Sequence, residues 1–223
     1  MTKEIILQWL EGREVVYAIL GMVFYRGPEE NVLSSLLEND FLRQLGESMD
    51  DQLIDEGCTQ MHNELKAKFQ DDQYKKALWE EYNRFFVGPG PLEAPPWESV
   101  YRSKERLIFG SETLSVRKFY QDFGLAIKDG NREPDDHIGL ELEFMAFLSK
   151  QAWELKKADG DISHFMEASK RFMKEHLQEW VADLCRDLET KASKDFFKGL
   201  AKLTKGWVEL DGASLVRWET ESQ

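Results

Sequence analysis

Cysteine is nearly absent from this chain: Cys58 and Cys185 are the only two in 223 residues, far apart and in no CxxC spacing. That excludes a disulfide framework, and with no histidine or cysteine cluster beside either residue a structural zinc site is not expected. Two buried or free thiols are the reading. Long apolar runs are missing too. The longest, AILGMVFY at 18–25, falls well short of the roughly 18 residues that a membrane span requires, so no stable membrane insertion is expected. The first residues, MTKEIILQWLEGREVV, mix acids into apolar positions and show neither a clean hydrophobic region nor a small-residue cleavage site; they read as a mature helix, not a leader. Basic excess is absent as well, with 29 Lys and Arg against 42 Asp and Glu, a net charge of −13 and a pI near 4.9. Without surplus cations to neutralise phosphates, nucleic acid is a poor partner and a basic one a better partner. No GxSxG and no Cys/His nucleophile pair is visible. The GPGP at 88–91 places prolines where a phosphate cradle needs amide donors.

What is present is helical periodicity. At 42% hydrophobic content the chain has the material for a real core. Ile6, Trp9, Leu10, Val16, Ile19, Leu20 and Val23 recur near helical spacing until Gly27-Pro28, predicting one long helix over 3–25. Further helices are predicted over 29–37, 41–45, 53–69 and 73–87, the last ending at Gly88-Pro89. Residues 114–127, a strongly apolar helix from Ile138 through Leu148, 161–188 and 194–208 complete the set. The segment from Ile138 is apolar on most of its circumference and should be central. The last residues, LVRWETESQ, are expected to fray. Nothing alternates with period two and no solenoid repeat is visible, so the fold class is all-α: a single globular helical bundle, one domain over 1–223, with a Pro-rich strap between helices.

The strap is the first stretch with functional potential. Residues 88–97, GPGPLEAPPW, hold four of the six prolines, which fix φ and bias their neighbours to extended geometry. A stiff strap carrying Trp97, with Phe85 and Phe86 before it and Tyr101 after it, could line a pre-organised apolar groove. Aromatics at helical spacing are more often core, and on residue pattern alone a loop plugging the bundle with its aromatics buried is the favoured reading.

The second stretch is EPDDHIGLELEF at 133–144. Pro134 and the acids at 133, 135 and 136 suit a helix N-terminus. His137 and Glu141 stand i,i+4 beside Asp136, a spacing that could hold a metal or an acid/base pair, but one histidine with carboxylates is an incomplete set and the second histidine of HExxH is lacking. A carboxylate-rich helix end that receives arginines fits better, because arginine pairs with carboxylates bidentately. In the third stretch, 172–184, Phe172, His176 and Trp180 form one stripe, and His176 is expected at an interface between helices.

Together these segments resemble the TorD/DmsD family of redox-enzyme maturation chaperones. The family's aromatic helix end and GP…APPW.SVY strap is matched by EYNRFFVGPGPLEAPPWESVY at 81–101, its second motif by EPDDHIGLELEFM at 133–145, and its F-x-x-x-H-L-x-x-W segment by 172–180, in the family's order. The resemblance implies a cytoplasmic, all-α chaperone with no catalysis and no required cofactor. Its partners would be the twin-arginine signal peptide and apoprotein of a molybdopterin oxidoreductase of the DMSO reductase family, bound before the client meets the export machinery. The peptide-binding positions it implies are Tyr82, Phe85, Phe86, Pro96, Trp97, Glu133, Pro134, Asp136 and His137. Some members carry tryptophan where Tyr82 stands and Leu-Phe where Phe85-Phe86 stands, a difference that bears on groove shape and client. The segment near 127–135 resembles the hinge where some members exchange helices, so a monomer and a domain-exchanged dimer are both open. Two alternatives stand beside this reading: a NarJ-like assembly chaperone for a nitrate reductase catalytic subunit, and a GTP-dependent assembly factor, for which the chain shows no phosphate loop.

Overall fold

Gly27 ends the first helix because it takes a left-handed φ of +71° with Tyr82 and Trp79 packed where a side chain would start. The computed structural model describes residues 2–126 and 133–222. Helix α1 (Lys3–Arg26) is followed by α2 (Glu30–Leu37), a single 3-10 turn, α3 (Phe41–Ser48), α4 (Gln52–Lys68) and α5 (Asp72–Tyr82), which widens into a π-helical turn at Asn83–Val87. After the strap come α6 (Glu98–Arg102), α7 (Ser111–Asp122), α8 (Ile138–Lys157) and α9 (Ser163–Phe172). A second π turn at Met173–Leu177 leads into α10 (Gln178–Lys191), and α11 (Asp195–Ser222) ends the chain. Among the described residues no strand occurs, and the one bridge of β type joins Trp97 to His137. The all-α expectation therefore holds.

Local sequence explains the starts of α4 and α5. Asp51 Oδ1 accepts the Leu53 and Ile54 N–H groups at 2.9 and 3.0 Å, and Asp71 Oδ1 accepts Gln73 N–H at 2.8 Å, so the α4 and α5 starts are side-chain capped. Three expectations need correcting. Residues 98–102, left without an element by periodicity, form the short α6. Residues 83–87 and 173–177 leave the α-helical register for wider turns. The C-terminal residues continue α11 to Ser222 because they have something to pack on: Leu215 is buried and the Trp218 ring stacks on Trp9 at 5.8 Å.

The chain divides into two compact units. The first takes in 1–22, 97–180 and 209–223; the second takes in 23–96 and 181–208. In the first unit, Phe144 of α8 meets Phe172 at 4.9 Å and Tyr120 at 5.0 Å, and Phe119 meets Phe172 at 5.2 Å, forming an aromatic core. Its polar centre is fully buried: Arg13 donates to both oxygens of Asp211, at 2.7 and 3.0 Å, and the Tyr17 hydroxyl adds a third bond at 2.6 Å. In the second unit, α4 and α11 touch backbone to backbone, since a Cβ on Gly57 would lie 2.6 Å from the Gly199 carbonyl. Carboxylates from neighbouring helices serve the start of α11: Glu64 accepts Phe196 N–H at 2.7 Å, and Glu81 accepts the Ser193 N–H and hydroxyl at 2.7 and 2.6 Å. The expected hinge near 127–135 lies largely outside the described residues, at 127–132.

Candidate functional site

The sequence-predicted site residues fall into two groups. Tyr82, Phe85, Phe86 and Pro96 belong to the second unit; Trp97, Glu133, Pro134, Asp136 and His137 belong to the first.

In the second unit the aromatics lie beneath the surface. Phe85 is fully buried against Phe197, with ring centroids 5.5 Å apart, and Phe86 packs on Phe24 at 5.8 Å. Both consecutive phenylalanines of the π turn are buried. Tyr82 is buried as well, and its hydroxyl donates to the Phe24 carbonyl at 2.9 Å. The turn closes through Gly88 N–H to Asn83 O at 2.7 Å, with Gly88 at φ +99°. From there the strap folds back onto its own helix. Glu93 and Ala94 N–H groups reach the carbonyls of Arg84 and Phe85, Arg84 pairs with Glu93, and Lys191 Nζ donates to the Glu93 carbonyl. Pro95 and Pro96 are buried; Pro89 and Pro91 are exposed. The strap is therefore both proline-stiffened and hydrogen-bonded.

In the first unit five positions converge. Trp97 is extended (φ −121°, ψ 132°) and bridges antiparallel to His137, and Glu98 N–H donates to the Asp136 carbonyl at 3.0 Å. Asp136 is fully buried; its Oδ2 accepts Ser99 N–H at 2.8 Å and its Oδ1 accepts the Thr113 hydroxyl at 2.7 Å. It thus serves the start of α6, not that of its own helix. The cap of α8 is His137, whose Nδ1 accepts Gly139 N–H at 3.0 Å. The acids had been expected at the start of their own helix; instead a neutral imidazole takes that place, because Asp136 is drawn to the donors of α6 and α7. Burial lowers the His137 pKa to about 3, which keeps Nδ1 free to accept.

Two residues of this group keep access to solvent. Trp97 and Glu133 are half-buried, and the indole Nε1–H donates to Glu133 Oε2 at 3.2 Å. Burial raises the Glu133 pKa, and the indole hydrogen bond offsets part of that rise. Asp135 is occupied by Arg117, whose Nε and NH2 both reach Oδ2, at 3.0 and 2.6 Å, while Tyr120 holds its carbonyl.

Behind these residues lies a polar layer that sequence reasoning missed. His176 Nδ1 stands 2.7 Å from Glu98 Oε2, and Arg102 reaches Glu98 Oε1 at 2.5 Å. Trp180 Nε1 donates to Glu141 Oε2 at 3.2 Å. His176 is buried between elements, as expected, and lies edge-on to Phe119. Glu141 shares its face with His137 but is completely buried; desolvation, with Glu98 and Asp136 nearby, holds its carboxyl well above the usual range. The available signal was Glu98 itself, a carboxylate directly after Trp97 in an otherwise apolar stretch.

Comparison with known proteins gives this arrangement its setting. Residues 51–186 match the family model described as nitrate reductase delta subunit. The probable Tat proofreading chaperone DmsD of Haemophilus influenzae is 31% identical over 186 residues, covering 83% of each chain. The Tat proofreading chaperone DmsD of Salmonella typhimurium is 25% identical over 211 residues, covering 93% of this chain and 89% of its own. Among solved structures, a proposed redox enzyme maturation protein from Archaeoglobus fulgidus superposes with a TM-score of 0.52 at 21% identity, over 88% of this chain and 93% of its own, and shares the fold. By its family match, its relatives and the three motifs at 81–101, 133–145 and 172–180, this chain belongs to the family of redox-enzyme maturation chaperones that contains TorD, DmsD and NarJ.

Proposed function

We propose that this protein is a cytoplasmic chaperone, not an enzyme, that binds the twin-arginine signal peptide or N-terminal region of a molybdopterin oxidoreductase and assists its maturation before export. The observation that carries the reading is the Trp97–Glu133 pair: a half-buried carboxylate whose charge is disfavoured by desolvation, beside an aromatic face. An arriving guanidinium would restore the charged form and stack on the indole. An apolar segment following the arginine pair would take more of its affinity from the accessible Trp97 face than from exposed ion pairs, which contribute about 0.2–1 kcal/mol each.

In this reading Trp97 and Glu133 make the contact, while Pro134, Asp136 and His137 hold the backbone that presents them. Tyr82, Phe85, Phe86 and Pro96 act by fixing the strap that leads into Trp97. The names of the Haemophilus and Salmonella relatives support a Tat-linked client. The description of the matched family supports a second reading, assembly of a nitrate reductase without use of an export signal.

Titration of the protein with a twin-arginine signal peptide, its Arg-Arg→Ala-Ala form and a leucine-depleted form separates the two. Affinity that falls with either change, and falls for Glu133→Gln and Trp97→Ala with unchanged melting, is the expected result. Equal affinity for all three peptides would favour the nitrate reductase reading. No binding at all would remove the signal peptide as the client segment.

A further inference from the structure

Residues 102–114 carry a surface feature that the peptide-binding reading does not use. Leu107, Ile108 and Phe109 are consecutive and 57%, 45% and 63% exposed, and Leu114, early in α7, is 61% exposed. Three adjacent large apolar side chains outside the core are unusual in a chain whose other apolar residues are largely buried.

The backbone makes the display a built one. Ser103 ties down the base of the loop: its carbonyl accepts Arg106 N–H and its hydroxyl accepts Leu107 N–H, both at 3.2 Å. Arg106 and Phe109, at either end of the triplet, both adopt left-handed backbone, φ +52° and +64°, a conformation uncommon for residues with a Cβ. The triplet is thus a tip held outward from a fixed base.

The segment around it carries charge opposite to that of the chain as a whole, and a net +1 remains once Arg102 and Arg117 are paired with Glu98 and Asp135, which lie outside it. Residues 102–118 carry Arg102, Lys104, Arg106, Arg117 and Lys118 against Glu105 and Glu112, a net +3 within a chain of net −13. Arg102 is engaged by Glu98 and the Glu175 carbonyl, and Arg117 by Asp135. Lys104 and Lys118 are exposed and have no ion-pair partner among the described residues, and Arg106 lies over the Tyr101 ring at 5.6 Å.

We propose that this tip is a reversible docking point for an anionic lipid surface, with Leu107, Ile108 and Phe109 entering the headgroup boundary while Lys104, Arg106 and Lys118 meet the lipid charge. Apolar side chains flanked by long cationic ones divide in this way at a bilayer interface. A soft surface also needs no matching contour, which a few protruding side chains could not supply. The acidic remainder of the chain is repelled by the same surface, so the tip sets the orientation of approach.

The test is co-sedimentation of the full chain with large vesicles of phosphatidylcholine alone and of phosphatidylcholine with 30% phosphatidylglycerol, the latter share being roughly that which gives a strongly negative surface. Wild-type protein is expected on the anionic vesicles only, with binding that weakens as salt is raised. Lys104→Gln with Arg106→Gln should lower partitioning by about fivefold per charge removed. Leu107→Ser with Phe109→Ser should lower it by about tenfold or more. All four side chains are exposed, so melting temperature and signal-peptide affinity should stay at the wild-type level, which keeps this result separate from the chaperone reading. Absence of wild-type binding to anionic vesicles, equal binding to neutral ones, or binding undiminished by the Leu107/Phe109 substitutions would overturn the proposal. Capture of an acidic amphipathic peptide without vesicle binding would assign the tip to a protein partner instead, and would also overturn it.

Discussion

Asp136 and Ser99 meet across 37 residues of sequence through a 2.8 Å hydrogen bond from the Ser99 backbone N–H to Asp136 Oδ2. With the Thr113 hydroxyl on Oδ1, one buried carboxylate fastens the start of α6 and the first turn of α7 to the segment that leads into α8. The strap's exit and the acidic motif therefore form one hydrogen-bonded piece.

Removing that carboxylate leaves two buried donors unsatisfied. Asp136→Ala is expected to destabilise the fold by about 2–4 kcal/mol, and Thr113→Val by about 1 kcal/mol. Urea unfolding followed by circular dichroism measures both. A variant that unfolds at the wild-type midpoint would show that the fastening is energetically idle.

Acid stability should depend on His137. Its folded pKa, about 3, lies below the ordinary 6.5, so the folded state binds fewer protons there than the unfolded state. The contribution of His137 is then complete above about pH 6.5 and falls as pH drops toward about 3, with a slope approaching roughly 1.4 kcal/mol per unit. Protonation also removes the acceptor that caps α8. His137→Asn keeps a capping oxygen and does not titrate, so the difference in urea midpoint between wild type and this variant, in which the other titrating groups cancel, should shift against the wild type as pH falls from about 7.5 to about 5.

Glu141 gives the opposite sign. Its carboxyl is held well above the usual range by burial and by Glu98 and Asp136. The folded state therefore retains a proton that the unfolded state gives up, and stability is lost as pH rises above the ordinary carboxylate value. Glu141→Gln keeps an acceptor for the Trp180 indole without a titrating group. It should raise stability by about 1–3 kcal/mol at pH 8 and change little at pH 4.5. Equal effects at the two pH values would count against a neutral Glu141.

The Arg13–Asp211 pair offers a cleaner energetic test, since both side chains are fully shielded from solvent. Asp211→Leu alone leaves a buried guanidinium and should cost about 3–5 kcal/mol, whereas Arg13→Met with Asp211→Leu should recover much of the loss. Tyr17, which donates to the same carboxylate, would lose its partner in both variants, so recovery is expected to be incomplete. The four variants of the double-mutant cycle, unfolded in urea, give the coupling directly.

Helix existence was legible in the sequence wherever the apolar stripe was long: α1, α4 and α8 are found within a few residues of their predicted limits, apart from the C-terminal end of α8, which runs on to Lys157. Stops at Gly27-Pro28 and Gly88-Pro89 were legible because glycine and proline act through local sterics. The short α6 was not, since five residues carry too little periodicity to declare a helix. Its start is fastened by Asp136, a residue 37 positions away from Ser99. The wide turns at 83–87 and 173–177 were likewise hidden, because a one-residue change in hydrogen-bond register leaves composition untouched.

The candidate site shows the same division. The motif residues stood out by their aromatic, proline and acidic character, but character does not state partner or depth. Sequence could not say that Asp135 would be occupied by Arg117, that Asp136 would be sealed from solvent, or that Trp97 and Glu133 would keep their access.

By itself, then, the sequence determined the helical class, the stiffness of the strap, the acidic balance and the family, since each rests on local sterics, spacing or total charge. The tertiary structure alone decided which carboxylates are occupied and which keep access to solvent, and how one chain divides into two units with three of the four boundaries inside continuous helices. Those outcomes depend on desolvation and on hydrogen bonds between residues far apart in sequence, and both exist only once the chain has packed.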